Sequence, residues 1–90
     1  MELKDVIFTE NLPKIDLHGY DRETARVAVN DFVNDNIKLK NEIFTIIHGK
    51  GNGILRKTVS ETLTKNKKVI EHKTLYNNQG TTLVKIKLEK

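Results

Sequence analysis

Glu42-Ile43-Phe44-Thr45-Ile46-Ile47-His48 constrains the fold of this chain more than any other segment. Its five central residues are all apolar or β-branched, with no polar alternation. Such a run reads as a strand buried on both faces, which needs sheet neighbours and a layer packed over it. A first neighbour lies upstream. Lys14-Ile15-Asp16-Leu17-His18 alternates, so it reads as a strand with Ile15 and Leu17 toward one side and Asp16 and His18 toward the other. Between the two runs, Ala25, Ala28, Val29, Phe32 and Val33 recur at helical spacing. Asp21 is the expected N-cap of a helix from about Arg22 to about Lys38, and Asn41 its expected stop. Strand, helix and strand in this order form a βαβ unit, with parallel strands and a right-handed crossover.

The second half continues the pattern. After Gly49-Lys50-Gly51-Asn52-Gly53, residues Ile54, Leu55, Val59 and Leu63 mark a helix to about Lys65, closed by Asn66-Lys67-Lys68. Val69–Tyr76 and Thr81–Leu88 read as a hairpin turned at Asn77-Asn78-Gln79-Gly80. Val84, Ile86 and Leu88 should face inward, and Lys85 and Lys87 outward. The order βαβαββ predicts an α/β two-layer sandwich: a mixed four-stranded sheet with two helices packed against it. Ninety residues suffice for one core only. Residues 1–13 read as an N-terminal arm whose Val6-Ile7-Phe8 cluster docks on the body, and residues 14–90 as the domain.

Composition narrows the function classes. The absence of cysteine excludes disulfide scaffolds, thiolate zinc sites and cysteine nucleophiles. No run of about 18 apolar residues is present, and the N-terminus lacks the pattern of a signal peptide. A cytoplasmic location without a membrane partner is expected. The net charge of +4 hides an asymmetry: residues 1–45 hold 6 basic and 9 acidic side chains, residues 46–90 hold 10 and 3. Basic excess in one half points to a polyanion partner, or to a solvated lysine-rich surface.

Two segments could carry chemistry. In Asp16-Leu17-His18-Gly19, a carboxylate and an imidazole share one strand face, where the carboxylate could orient the ring for acid–base work. The plainer reading is a turn cap beside a structural histidine. In His48-Gly49-Lys50-Gly51-Asn52-Gly53, three alternate glycines open the way to positive φ and to close approach of a ligand to the backbone. The helix that follows offers N–H groups and the positive end of its dipole to an anion. Lys50, Arg56 and Lys57 would add charge. A tight strand-to-helix turn would look the same. The loop matches neither the Walker A pattern nor the dinucleotide fingerprint. Both segments end adjacent parallel strands, so Asp16, His18, His48 and the loop should converge on one edge of the sheet.

Ile15-Asp16-Leu17-His18-Gly19, followed about 30 residues later by Ile47-His48-Gly49-Lys50-Gly51-Asn52-Gly53-Ile54-Leu55-Arg56, resembles the paired motifs of the small MutS-related (Smr) domain. Gly80–Ile86 looks like the last strand of that family. Ile15 stands where Leu is commoner, and the loop before the last strand is shorter than in many members. The resemblance implies a fold like the C-terminal domain of translation initiation factor three. It implies endonuclease activity on DNA or RNA, metal-independent or weakly metal-assisted, with some members acting on messenger RNA at stalled ribosomes and others attached to a MutS-like ATPase. It assigns Asp16 and His18 as the catalytic pair. It assigns the glycine motif from His48 through Arg56 as the nucleic-acid contact, with His48, Gly49, Lys50, Gly51, Gly53 and Arg56 its members; Lys57 is added to these contacts for its charge.

The expected function is therefore an endonuclease, the alternative a non-catalytic nucleic-acid- or ribosome-binding module, and the third option a protein-interaction domain. No cofactor is required, although Asp16, His18 and His48 are residue types that could hold a divalent metal. A monomer is the favoured state. Tyr20 could stack on a base or pack against the first helix. His72, between Glu71 and Lys73, reads as a surface residue.

Overall fold

The computed structural model describes residues 11–51, 53–75 and 80–88. The Val6-Ile7-Phe8 cluster, Asn52 and the Asn77-Asn78-Gln79 part of the turn lie outside the described residues. The elements follow the expected order: β1 (Lys14–Asp16), α1 (Arg22–Leu39), β2 (Ile43–Ile47), α2 (Ile54–Lys65), β3 (Val69–Thr74) and β4 (Thr81–Ile86).

The sheet runs β1-β2-β4-β3. β1 and β2 are parallel, as the βαβ reading requires, with Ile15 opposite Ile46 and Asp16 opposite Ile47. β4 runs antiparallel to both neighbours and sits between β2 and β3. This central position explains its burial: Val84 and Ile86 join the core as expected, but Thr81, Thr82 and Leu83 are buried too.

One core joins the helices to one face of the sheet. Leu17, Phe44, Ile46, Val84 and Ile86 meet Ala25, Val29 and Val33 of α1 and Val59 and Leu63 of α2. The Phe32 and Phe44 rings meet edge to face, with centroids 5.1 Å apart. Polar ties close the far end, where Asn66 Nδ2 donates to Asn30 Oδ1 and Lys68 Nζ to Asn34 Oδ1. Lys68 is thus engaged by α1.

The helix ends show where the sequence reading was right and where it slipped. Asp21 caps α1, its carboxylate accepting from the Thr24 N–H at 2.7 Å. At the other end the chain turns at Lys40, with φ 61°, and not at Asn41. The Asn41 side chain instead donates to Oδ1 of the buried Asn36. Satisfying that buried amide outweighs the usual preference of Asn for the left-handed cap. Among the described residues, no helix is long and apolar enough to cross a membrane.

Candidate functional site

β1 ends in a tight turn. The Tyr20 N–H donates to the Leu17 carbonyl at 2.9 Å, and Gly19 takes φ +85° at the third position. That geometry strongly favours glycine there. Asp16 Oδ1 accepts from the backbone N–H of His18 at 2.9 Å. The carboxylate therefore fixes the turn, a role any side-chain carbonyl could share. The His18 ring is exposed and makes no hydrogen bond to the described residues. The expected carboxylate–imidazole pair is thus a carboxylate–backbone pair in this conformation.

β2 ends differently. The His48 N–H and the Gly49 N–H both donate to the Gly80 carbonyl, at 2.8 and 3.0 Å. The His48 ring is only 4% exposed and both nitrogens are engaged. Nδ1 lies 3.0 Å from the Gly49 carbonyl and Nε2 lies 2.8 Å from Thr82 Oγ1. A carbonyl can only accept, so Nδ1 carries the proton and Nε2 accepts from the Thr82 hydroxyl. Burial holds the imidazole below the ordinary histidine range; the Gly49 bond opposes this and the nearby Arg56 charge reinforces it. His48 is thus a neutral clamp joining the root of the loop to β4, and in this conformation both of its ring nitrogens are engaged within the protein.

The register explains why the two histidines part company. Asp16 lies between Ile15 and Leu17, which pack into the core, so its side chain leaves by the opposite face. His48 is two residues from the core residue Ile46 and shares its face. The expected convergence therefore holds for the backbone, with the Leu17 N–H donating to the Ile47 carbonyl at 2.7 Å, but not for these side chains. Among the described residues no three His, Asp or Glu side chains gather to hold a metal ion.

Beyond His48 the loop is open. Lys50 and Gly51 are exposed. Gly49 and Gly53 take φ +81° and +84°, using the freedom that the glycine spacing allows, whereas Gly51 does not take the left-handed conformation. Gly53 starts α2, and among the described residues no side chain caps the helix. The first turn holds no acid and instead carries Arg56 and Lys57, both exposed. Arg56 folds back over the loop, its Nη2 lying 3.6 Å from where a Cβ on Gly53 would be. α1 shows the opposite choice at the same edge, with an Asp cap and Glu23 in its first turn. Cations at a helix N-terminus oppose the dipole and cost a few tenths of a kcal/mol or more. They gain a purpose where an anion is to be held.

A cleft of about 590 Å³ lies elsewhere, between the helices, lined by Arg22, Arg26, Asn30, Glu61 and Lys65 among others. Asp16, His18 and the glycine loop do not line it; Asp16, His18, Lys50 and Gly51 are exposed. His72, expected at the surface, is half-buried with Nε2 3.2 Å from Thr64 Oγ1, and burial lowers its pKa.

The Smr domain family profile matches residues 15–87. The chain belongs to the Smr domain family. Endonuclease MutS2 of Clostridium perfringens is 34% identical over 74 residues, which cover 82% of this chain and 9% of that protein. The MutS2 endonuclease of Symbiobacterium thermophilum is 40% identical over 60 residues, 67% of this chain and 8% of that protein. The chain thus spans about a tenth of the length of these relatives. The crystal structure of the Smr domain of Thermus thermophilus MutS2 superposes with a TM-score of 0.81 at 25% identity, covering 84% of this chain and 99% of that one. YdaL, a stand-alone small MutS-related protein from Escherichia coli, shares the fold with a TM-score of 0.79 at 23% identity, over 88% of this chain and 67% of that one. This Smr domain therefore has the mixed four-stranded α/β architecture expected from its sequence.

Proposed function

We propose that this Smr domain is a nucleic-acid endonuclease whose glycine loop and α2 N-terminus hold a backbone phosphate beside the His18 turn. The observation that supports this best is the acid-free first turn of α2, with Arg56 lying against Gly53. Relatives named as endonucleases share most of this chain. Backbone N–H groups of Gly51 and Gly53, with Lys50, Arg56 and Lys57, would neutralise the phosphate and the charge that develops on it.

His18 would act as the general base. On RNA, its ring takes the 2′-OH proton, O2′ bonds to phosphorus, and the P–O5′ bond breaks. O5′ leaves with a proton from solvent, giving a 2′,3′-cyclic phosphate and a 5′-hydroxyl. With water as nucleophile, the same base would yield a phosphomonoester end, and DNA would be cut as well. Asp16 serves as a positioning residue that sets the backbone from which the ring reaches. His48, Gly49 and Thr82 hold the loop in place. The steps as written balance without a metal; where a divalent ion takes part, His18 or Asp16 together with substrate oxygens would hold it.

Labelled single-stranded and duplex RNA and DNA, incubated with and without chelator, test the proposal. Wild type should cleave, and His18→Ala should bind without cleaving. Equal cleavage by His18→Ala would remove His18 from the chemistry. The engagement of Asp16 with backbone instead of ring favours a second reading, a binding module without turnover. It is supported if salt-dependent binding occurs and no product forms on any of the substrates. Cytoplasmic or ribosomal recruitment belongs to the same proposal.

A further inference from the structure

Tyr20 is an aromatic side chain at the proposed phosphate edge, two residues beyond His18. The residue is 40% exposed, so part of its surface faces solvent. Its backbone is nonetheless fixed, because its N–H closes the turn on the Leu17 carbonyl. The same turn positions His18, and two residues of backbone separate their Cα atoms by at most about 7 Å. Ile54, 49% exposed, opens α2 next to Gly53 and adds a second apolar surface to this edge. A single exposed apolar side chain is ordinary. Here, one is an aromatic two residues from His18, on a backbone held by a hydrogen bond and a positive-φ glycine, and the other opens the helix whose start forms the proposed phosphate seat.

We infer that Tyr20 is a base-stacking residue that holds one unpaired base adjoining the scissile phosphate, with Ile54 as its apolar flank. This deepens the proposed function, on which it rests, by naming the substrate class as single-stranded nucleic acid. Base stacking on an aromatic ring is indifferent to base identity but requires a base freed from its partner. Duplex substrates, whose bases face one another, cannot use the ring without unpairing. The site would then choose by strandedness, not by sequence.

The test uses the 90-residue chain in a His18→Ala background, so that binding is read without turnover. Affinities for a single-stranded oligonucleotide and for its duplex are measured by anisotropy at fixed salt. Tyr20→Phe should bind the single strand like its parent. Tyr20→Ala and Tyr20→Leu should each lose roughly 5- to 150-fold on the single strand and little on the duplex. Leu keeps apolar bulk, so a loss in both variants isolates the aromatic face. Thermal melts confirm that the variants stay folded. Unchanged single-strand affinity in Tyr20→Ala, or equal losses on single strand and duplex, would overturn the inference while leaving the phosphate seat intact. Lys50→Glu with Arg56→Glu tests that seat separately: if this variant binds like its parent, the functional proposal fails instead.

Discussion

Gly51→Ala separates what the fold requires of the loop from what a ligand requires. Gly49 and Gly53 have positive φ, where an L-residue pays about 1–2 kcal/mol. Gly51 is not in that region, and a Cβ there would meet nothing within 4 Å. Nothing in the described fold therefore asks for glycine at position 51. Alanine should stabilise the native state by about 0.4–1 kcal/mol, by restricting the unfolded chain. For a domain of this size, that raises Tm by roughly 2–8 °C. Gly53→Ala adds the same methyl at an ordinary 3.6 Å from Arg56 Nη2, yet should lose about 1–2 kcal/mol to its backbone conformation. Binding should separate the two effects. If a phosphate lies against the Gly51 backbone, the methyl displaces it and forfeits a hydrogen bond to a charged group. Such bonds are worth about 1.5–3 kcal/mol, or roughly 10- to 150-fold in affinity. Urea unfolding followed by circular dichroism gives the stability, and anisotropy with a labelled oligonucleotide gives the binding. A Gly51→Ala protein that is more stable and binds as tightly as wild type would refute close ligand approach at this loop.

Three further outcomes follow from the geometry. Burial lowers the pKa of His48 and of His72, so the unfolded chain takes up protons at higher pH than the native one. Their contribution is complete above about pH 6.5 and is lost as pH falls through the lower native values; His48→Gln should flatten the loss seen in urea melts between about pH 7 and 5, and an unchanged slope would show that His48 does not titrate this way. Asp16→Asn keeps a carbonyl for the His18 N–H and should retain most cleavage, whereas Asp16→Ala should not; equal loss in both would make the carboxylate charge essential. Lys40→Gly should raise stability by about 0.5–1 kcal/mol, because Lys40 holds the left-handed cap of α1; a lower Tm would count against that reading.

The hydrophobic pattern made most of the architecture legible. The helical stripe from Ala25 to Val33, the alternation around Ile15 and Leu17, and the apolar run Ile43–Ile47 each report local burial, and together they define the βαβ unit. Strand order was not legible, because the insertion of β4 between β2 and β3 depends on pairing across the sheet. The motifs revealed the edge but not the side-chain directions. A run buried on both faces conceals which side its last residue takes, so His48 looked as available as His18. The register with β1 and the bond to Thr82 settle its direction. The Asp16 contact was hidden for another reason: an Asp two residues before a backbone N–H can bond to that group or to the side chain, and spacing alone does not choose. Tyr20 carried a sequence signal, as an aromatic beside the motif, and its partial exposure leaves surface open to a base.

The phosphate seat at the start of α2 is tested most directly by the salt dependence of single-strand binding in wild type and in Lys50→Glu/Arg56→Glu. Each phosphate neutralised contributes roughly 0.7 to the slope of log affinity against log salt on a single strand. Loss of two contacts should weaken binding and reduce the slope by roughly 1.4. An unchanged affinity and slope in the double variant would contradict a nucleic-acid grip at this edge.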